Sequence, residues 1–155
     1  MRRFTLQSRS ASSKSLPDKR PGASILLIED NPADATLVRK ALEEHGVRGE
    51  LTVVLDGETA IDLILALDTK PTGCPDLVII DLNLPKKPGR EVLQALRQGR
   101  QCRNVPAIVL SSSDARDDEA DAVKFGASKY LRKPSRLDSF LALGAIFKAA
   151  LEGVH

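Results

Sequence analysis

The stretch PDLVIIDLNLPKKPG, residues 75–89, decides how this chain folds. Leu77 to Ile80 is a continuously apolar run, the pattern of a strand buried on both faces. It ends on a carboxylate, Asp81, and Pro88 then stands where a proline can open a helix. Working outward, the same signature recurs on either side. Strand runs fall at Ile25 to Glu29, Leu51 to Leu55, Leu77 to Asp81, Ala107 to Ser111 and Lys129 to Arg132. Segments of helical periodicity separate them. Asn31-Pro32 reads as a cap followed by a proline at the first helical position, and Asp114 precedes the fourth helix. On the first helix Leu37, Val38, Ala41, Leu42 and His45 form one stripe, which Gly46 stops; His45 reads as a tolerated neighbour of the core. Alternating strands and helices predict an α/β fold with a parallel sheet covered on both faces.

The composition agrees with one aliphatic domain. The 155 residues include five aromatics, no Trp and two Cys, which excludes a disulfide-rich secreted scaffold. Cys74 and Cys102 lie in the loops entering the third and fourth strands and read as free thiols. No stretch approaches the roughly 18 apolar residues of a membrane span, so no membrane segment and a soluble, cytoplasmic protein are expected. The net charge of +2 is uneven: residues 1–23 carry +5, and the remainder carries −3. The sequence divides into a Ser- and Arg-rich leader, 1–23, expected to be disordered, and a folded domain, 24–155. The leader lacks the apolar core of a secretory signal; its basic character is compatible with a transit peptide, a nucleic-acid or lipid contact, or no role.

In an open parallel sheet, ligands bind beyond the carboxyl ends of the strands. The residues there are Glu29 and Asp30, Asp81, Ser111 and Lys133. Clustered carboxylates repel unless a cation lies among them, and an all-oxygen donor set favours Mg²⁺ over zinc. With Ser111 and Lys133 as donors to phosphoryl oxygens, Asp81 becomes the natural nucleophile for an acyl phosphate. No glycine-rich phosphate loop of the Walker type is present.

The strings ILLIEDNPAD (25–34), PDLVIIDLNLPKKPGREVL (75–93), VPAIVLSSS (105–113) and FGASKYLRKP (125–134) together resemble the CheY-like receiver domains of two-component response regulators. That resemblance implies a (βα)5 flavodoxin-like fold with strand order 2-1-3-4-5. It implies that Asp81 is the phosphoacceptor, that Glu29, Asp30, Asp81 and the Asn83 carbonyl surround Mg²⁺, and that Lys133 contacts the phosphoryl group. It also makes the Lys133–Pro134 bond a candidate cis peptide. Ser111 and Tyr130 would form a switch pair, and Asn83 and Ser113 would tune the lifetime of the phosphorylated form. A slowly self-dephosphorylating phosphoacceptor is expected, not a turnover enzyme.

No DNA-reading domain follows Lys133, where one further helix is expected, so output is assigned to the face made by the fourth helix, fifth strand and last helix. Leu137, Phe140, Leu141, Gly144, Phe147 and Leu151 form the core stripe of that last helix. Leu143, Ile146 and Ala150 fall on a second flank and are assigned to a homodimer or docked partner. The PKKPGREVL string and the Asp68 to Pro75 connection look most like small regulators paired with bacterial phytochrome-type kinases, which makes a sensor histidine kinase the expected donor. Two other readings compete. A haloacid-dehalogenase-type phosphatase would want a second Asp where Asn83 stands; a phosphorylation-independent receiver-like binding module would not need the full acidic set.

Overall fold

The computed structural model describes residues 1–7, 22–112 and 116–153. A six-stranded sheet runs in the order β1-β3-β2-β4-β5-β6. Its strands are β1 (Arg2–Leu6), β2 (Ala23–Ile28), β3 (Gly49–Val54), β4 (Leu77–Ile80), β5 (Ala107–Ser111) and β6 (Lys129–Arg132). All neighbours from β3 to β6 pair in parallel, and β1 lies antiparallel on the outer edge of β3. Leaving β1 aside, the order is the expected 2-1-3-4-5.

Strand alternation divides the core in two. Ile25, Leu27, Leu77, Ile79, Ile108 and Leu110 face α1 (Pro32–Glu44), α5 (Leu137–Ala142) and α6 (Gly144–Leu151). Leu26, Ile28, Val78, Ile80, Ala107 and Val109 face α2 (Gly57–Leu67), α3 (Gly89–Arg97) and α4 (Arg116–Lys124). Side chains on a strand point to opposite faces in turn, so every position of a central run must be apolar when both faces are covered.

Five expectations need correction. The leader is not wholly without structure: Arg2–Leu6 pairs with β3 in the register Phe4↔Leu51 and Leu6↔Gly49, and Leu6 is buried. Only Phe4 and Leu6 of this strand face inward, a two-residue alternation easily lost among the arginines, whose charges suit an exposed sheet edge. The remaining leader residues, 8–21, lie outside the described residues. The last helix is two segments that meet at Leu143, and Leu137 is 60 % exposed instead of belonging to the core stripe. At this junction Gly144 passes so close to α1 that a Cβ would stand 2.2 Å from the Ala41 carbonyl oxygen. Cys74 and Cys102 form a disulfide, because the adjacent parallel strands β4 and β5 bring their entry loops to a Cα–Cα distance of 5.4 Å. The Lys133–Pro134 bond is trans.

The second flank of the last helix is also not a free strip. Leu143, Ile146 and Ala150 are half-buried and pack against the same core as Phe140 and Phe147. Among the described residues, no helix is long and apolar enough to cross a membrane.

Candidate functional site

Each strand that contributes to the site carries its pairing one residue past its end. The Glu29 N–H donates to the Val54 carbonyl at 2.9 Å, the Asp81 N–H to the Ile28 carbonyl at 3.0 Å, and the Lys133 N–H to the Ser111 carbonyl at 2.7 Å. The side chains that follow these bonds are held on backbone as rigid as the sheet itself. Asn31 caps α1, its Oδ1 accepting from the Ala33 N–H at 2.9 Å, and Pro32 begins the helix.

The loop after β4 is equally determined. Asp81 Oδ1 accepts from the Asn83 N–H at 3.1 Å. Lys86 takes a φ of 70°, and the Gly57 N–H donates to the Pro85 carbonyl at 3.2 Å, tying the loop to the start of α2. Gly89 is required where the chain turns back, since a Cβ there would stand 2.5 Å from the Asp81 carbonyl oxygen.

The rim gathers the residues expected of it. Glu29, Asp30 and Asp81 each place a carboxylate oxygen within 4.8 Å of the others. Glu29 and Asp81 are buried, and Asp30 is exposed. The Lys133 ammonium lies among them, 2.6 Å from Glu29 Oε1 and 3.1 Å from Asp81 Oδ2. It also donates to a carboxylate absent from the sequence reading, Asp34 Oδ2, at 2.8 Å. Asp34 stands one helical turn beyond Asp30, in the first turn of α1, so the i, i+4 spacing of two acids at a strand-to-helix junction was the available signal.

Burial pushes the Glu29 carboxyl up to about 7, against the pull of its hydrogen bond to Lys133. Burial would lower the Lys133 ammonium, but its bonds to Asp34 and Glu29 outweigh that and raise it. The ammonium is therefore held in its charged form, while burial favours the protonated form of Glu29.

Ser111 is fully buried at the end of β5. It has the same strand parity as Ala107 and Val109, so it belongs to the α2–α3–α4 face. Tyr130 pairs with Val109 in the sheet and packs, half-buried, against the same face. Asn83 is exposed beside Asp81. Ser113 lies outside the described residues. The donor set is all oxygen, which suits a hard divalent cation and not zinc. A second group, Asp68, Cys74 and Cys102, has its two sulfurs committed to the disulfide, and Asp68 accepts the N–H groups of Arg100, Gln101 and Cys102, each at 2.8 Å.

The family model described as response regulator receiver domain matches residues 25–143. Response regulator Rcp1 of Synechocystis sp. is 34% identical over 139 residues, covering 88% of this chain and 95% of that protein. The structure of the phosphorylated cyanobacterial phytochrome response regulator RcpA superposes with a TM-score of 0.76 at 31% identity, over 86% of this chain and 97% of that one. The Mn²⁺-bound form of Rcp1 superposes with a TM-score of 0.74 at 32% identity, over the same shares, 86% and 97%.

Proposed function

Because this chain belongs to the response regulator receiver domain family, we propose that Asp81 accepts a phosphoryl group from the phosphohistidine of a sensor histidine kinase. An Asp81 carboxylate oxygen forms the new bond to phosphorus. The P–N bond of the donor breaks, and its electron pair returns to the imidazole nitrogen. The observation that carries this reading is the placement of the Lys133 ammonium 3.1 Å from Asp81 Oδ2, beside three carboxylates whose oxygens lie within 4.8 Å of one another. Lys133 can follow the charge that builds on the phosphoryl oxygens, and Asn83 orients the carboxylate through its N–H.

Glu29, Asp30 and Asp81, with the Asn83 carbonyl, are the residues that would hold a divalent cation, for which we read Mg²⁺. When bound, that ion supplies positive charge against the phosphoryl oxygens. Buried Ser111 would turn its hydroxyl towards the phosphoryl group and Tyr130 would follow inward on the same face. Asn83 and Ser113 would set how fast water removes the phosphate. The phosphatase reading is weaker, because an asparagine at 83 cannot give and recover a proton. Similarity to phytochrome response regulators favours a phytochrome-type kinase as donor; output is read as a homodimer or docked partner on the α4–β6–α5 face, where Val123 and Leu137 stand exposed.

Incubation with acetyl phosphate and Mg²⁺ tests the core of this reading by intact mass. The chain is expected to accumulate a single phosphate, and Asp81→Asn to accumulate none. Rapid catalytic release of inorganic phosphate with no accumulation of the phosphorylated chain, or undiminished labelling of Asp81→Asn, would sink it.

A further inference from the structure

The Lys133 ammonium has three N–H bonds and three carboxylate partners: Glu29, Asp34 and Asp81. Two of these partners also belong to the carboxylate group whose oxygens lie close enough together to share a cation; Asp34 does not. Once Glu29 and Asp81 turn their oxygens to a cation or a phosphoryl group, Asp34 remains as the anion committed to the lysine alone. Its position is rigid. It sits in the first turn of α1, after Pro32, and its N–H donates to the capping Asn31 Oδ1 at 3.4 Å. A helix N-terminus also favours a negative side chain at this place.

Many acids in a first helical turn meet a surface lysine to no effect. This pair differs, because the side chains of Lys133 and Asp34 are only 10% and 23% exposed, and Lys133 is the one cation bonded to Asp81 among the described residues. We infer that Asp34 is a positioning residue that holds the Lys133 ammonium at Asp81 by a bond independent of the cation-binding carboxylates. The inference rests on the proposed phosphorylation of Asp81. It gives the pair a second consequence: it links α1 to the β6–α5 junction at the point where charge arrives.

The test uses the full chain and D34N, which keeps the shape and an acceptor oxygen but loses the charge, together with D34E. Phosphorylation by acetyl phosphate is expected to slow roughly tenfold in D34N, the scale of a lost charge-assisted hydrogen bond, and to recover in D34E. Mg²⁺ affinity, read by calorimetry without a phosphodonor, should stay within about twofold of wild type, since Asp34 is not placed among the cation's oxygens. Recorded with Mg²⁺ present, so that Glu29 and Asp81 are turned to the cation, the Lys133 ammonium signal in ¹⁵N-lysine spectra, visible while its protons are bonded and slow to exchange, should weaken in D34N and return in D34E. A D34N rate equal to or above wild type overturns the inference, as does an Mg²⁺ affinity that falls in step with the rate, which would make Asp34 a metal ligand. If the wild type takes up no phosphate, the Asp81 reading fails. The ammonium signal then still decides whether Asp34 holds Lys133, because it is recorded without any donor.

Discussion

At Glu29 burial outweighs the attraction of a lysine 2.6 Å away, and the carboxyl is pushed up to about 7. A carboxyl raised in the folded state holds its proton more tightly there than in the unfolded chain. Its contribution to stability is therefore complete below the ordinary value of 4.5 and is lost as pH rises through about 7. Thermal melts of the metal-free protein across this range should show that loss, and Glu29→Gln should flatten it. Divalent-ion affinity has the opposite dependence, because a cation must displace the Glu29 proton: it should strengthen from pH 5.5 to about 7.5 and then level off. An Mg²⁺ affinity independent of pH across that interval would show that Glu29 is ionised throughout. The sequence placed Glu29, Asp81 and Lys133 at one rim by counting strand ends. It could not show that Lys133 also reaches Asp34, since 99 residues separate the two and only the fold brings α1 beside the β6–α5 junction.

Two elements outside the five-strand pattern add stability. In β1, Leu6 is 4% exposed and belongs to the α1–α5–α6 core, and Phe4 packs beneath the Arg39 guanidinium at 4.7 Å. The strand is further tied to α1 by the Gln7 N–H, which donates to Glu43 Oε2 at 2.8 Å. Leu6→Ala should cost about 2 kcal/mol in urea unfolding, the lower range for a buried leucine, as expected for an edge position. A change near zero would mean that β1 does not stay docked. On the far side of the sheet, the Cys74–Cys102 disulfide closes a loop with a sequence separation of 28. By loop entropy such a bridge is worth about 3.5 kcal/mol, so Cys102→Ser, or reduction, should lower the melting temperature by roughly 10 °C. Asp68 holds the Cys102 loop by three backbone bonds of its own, so the reduced protein should remain folded. Neither element was legible in the sequence. A five-residue strand with two arginines carries little apolar signal, and a pair of cysteines in separate loops becomes adjacent only through strand order.

Over the whole molecule, the proposed phosphorylation site lies at one end of the sheet and the disulfide at the other, so the two can be altered separately. The surface proposed for output is narrower than periodicity suggested. Ile146 and its neighbours are half-buried against the core, whereas Val123 on α4 and Leu137 on α5, the helices before and after β6, are 61% and 60% exposed. Phosphorylation should shift the chain towards a dimer in sedimentation, and Leu137→Glu should reverse that shift at unchanged melting temperature. Ile146→Glu should lower the melting temperature instead, and no shift on phosphorylation would remove the homodimer reading. The sequence by itself determined the five-strand parallel sheet and the rim that carries Glu29, Asp30, Asp81, Ser111 and Lys133. Runs buried on both faces must be uniformly apolar, and in such a sheet strand ends collect on one side whatever the details of packing. Only the tertiary structure decided the Asp34–Lys133 bond, the β1 edge, the Cys74–Cys102 bridge and which side chains of the last helices stay exposed. Each depends on distances between segments far apart in the chain, which local propensity and periodicity do not encode.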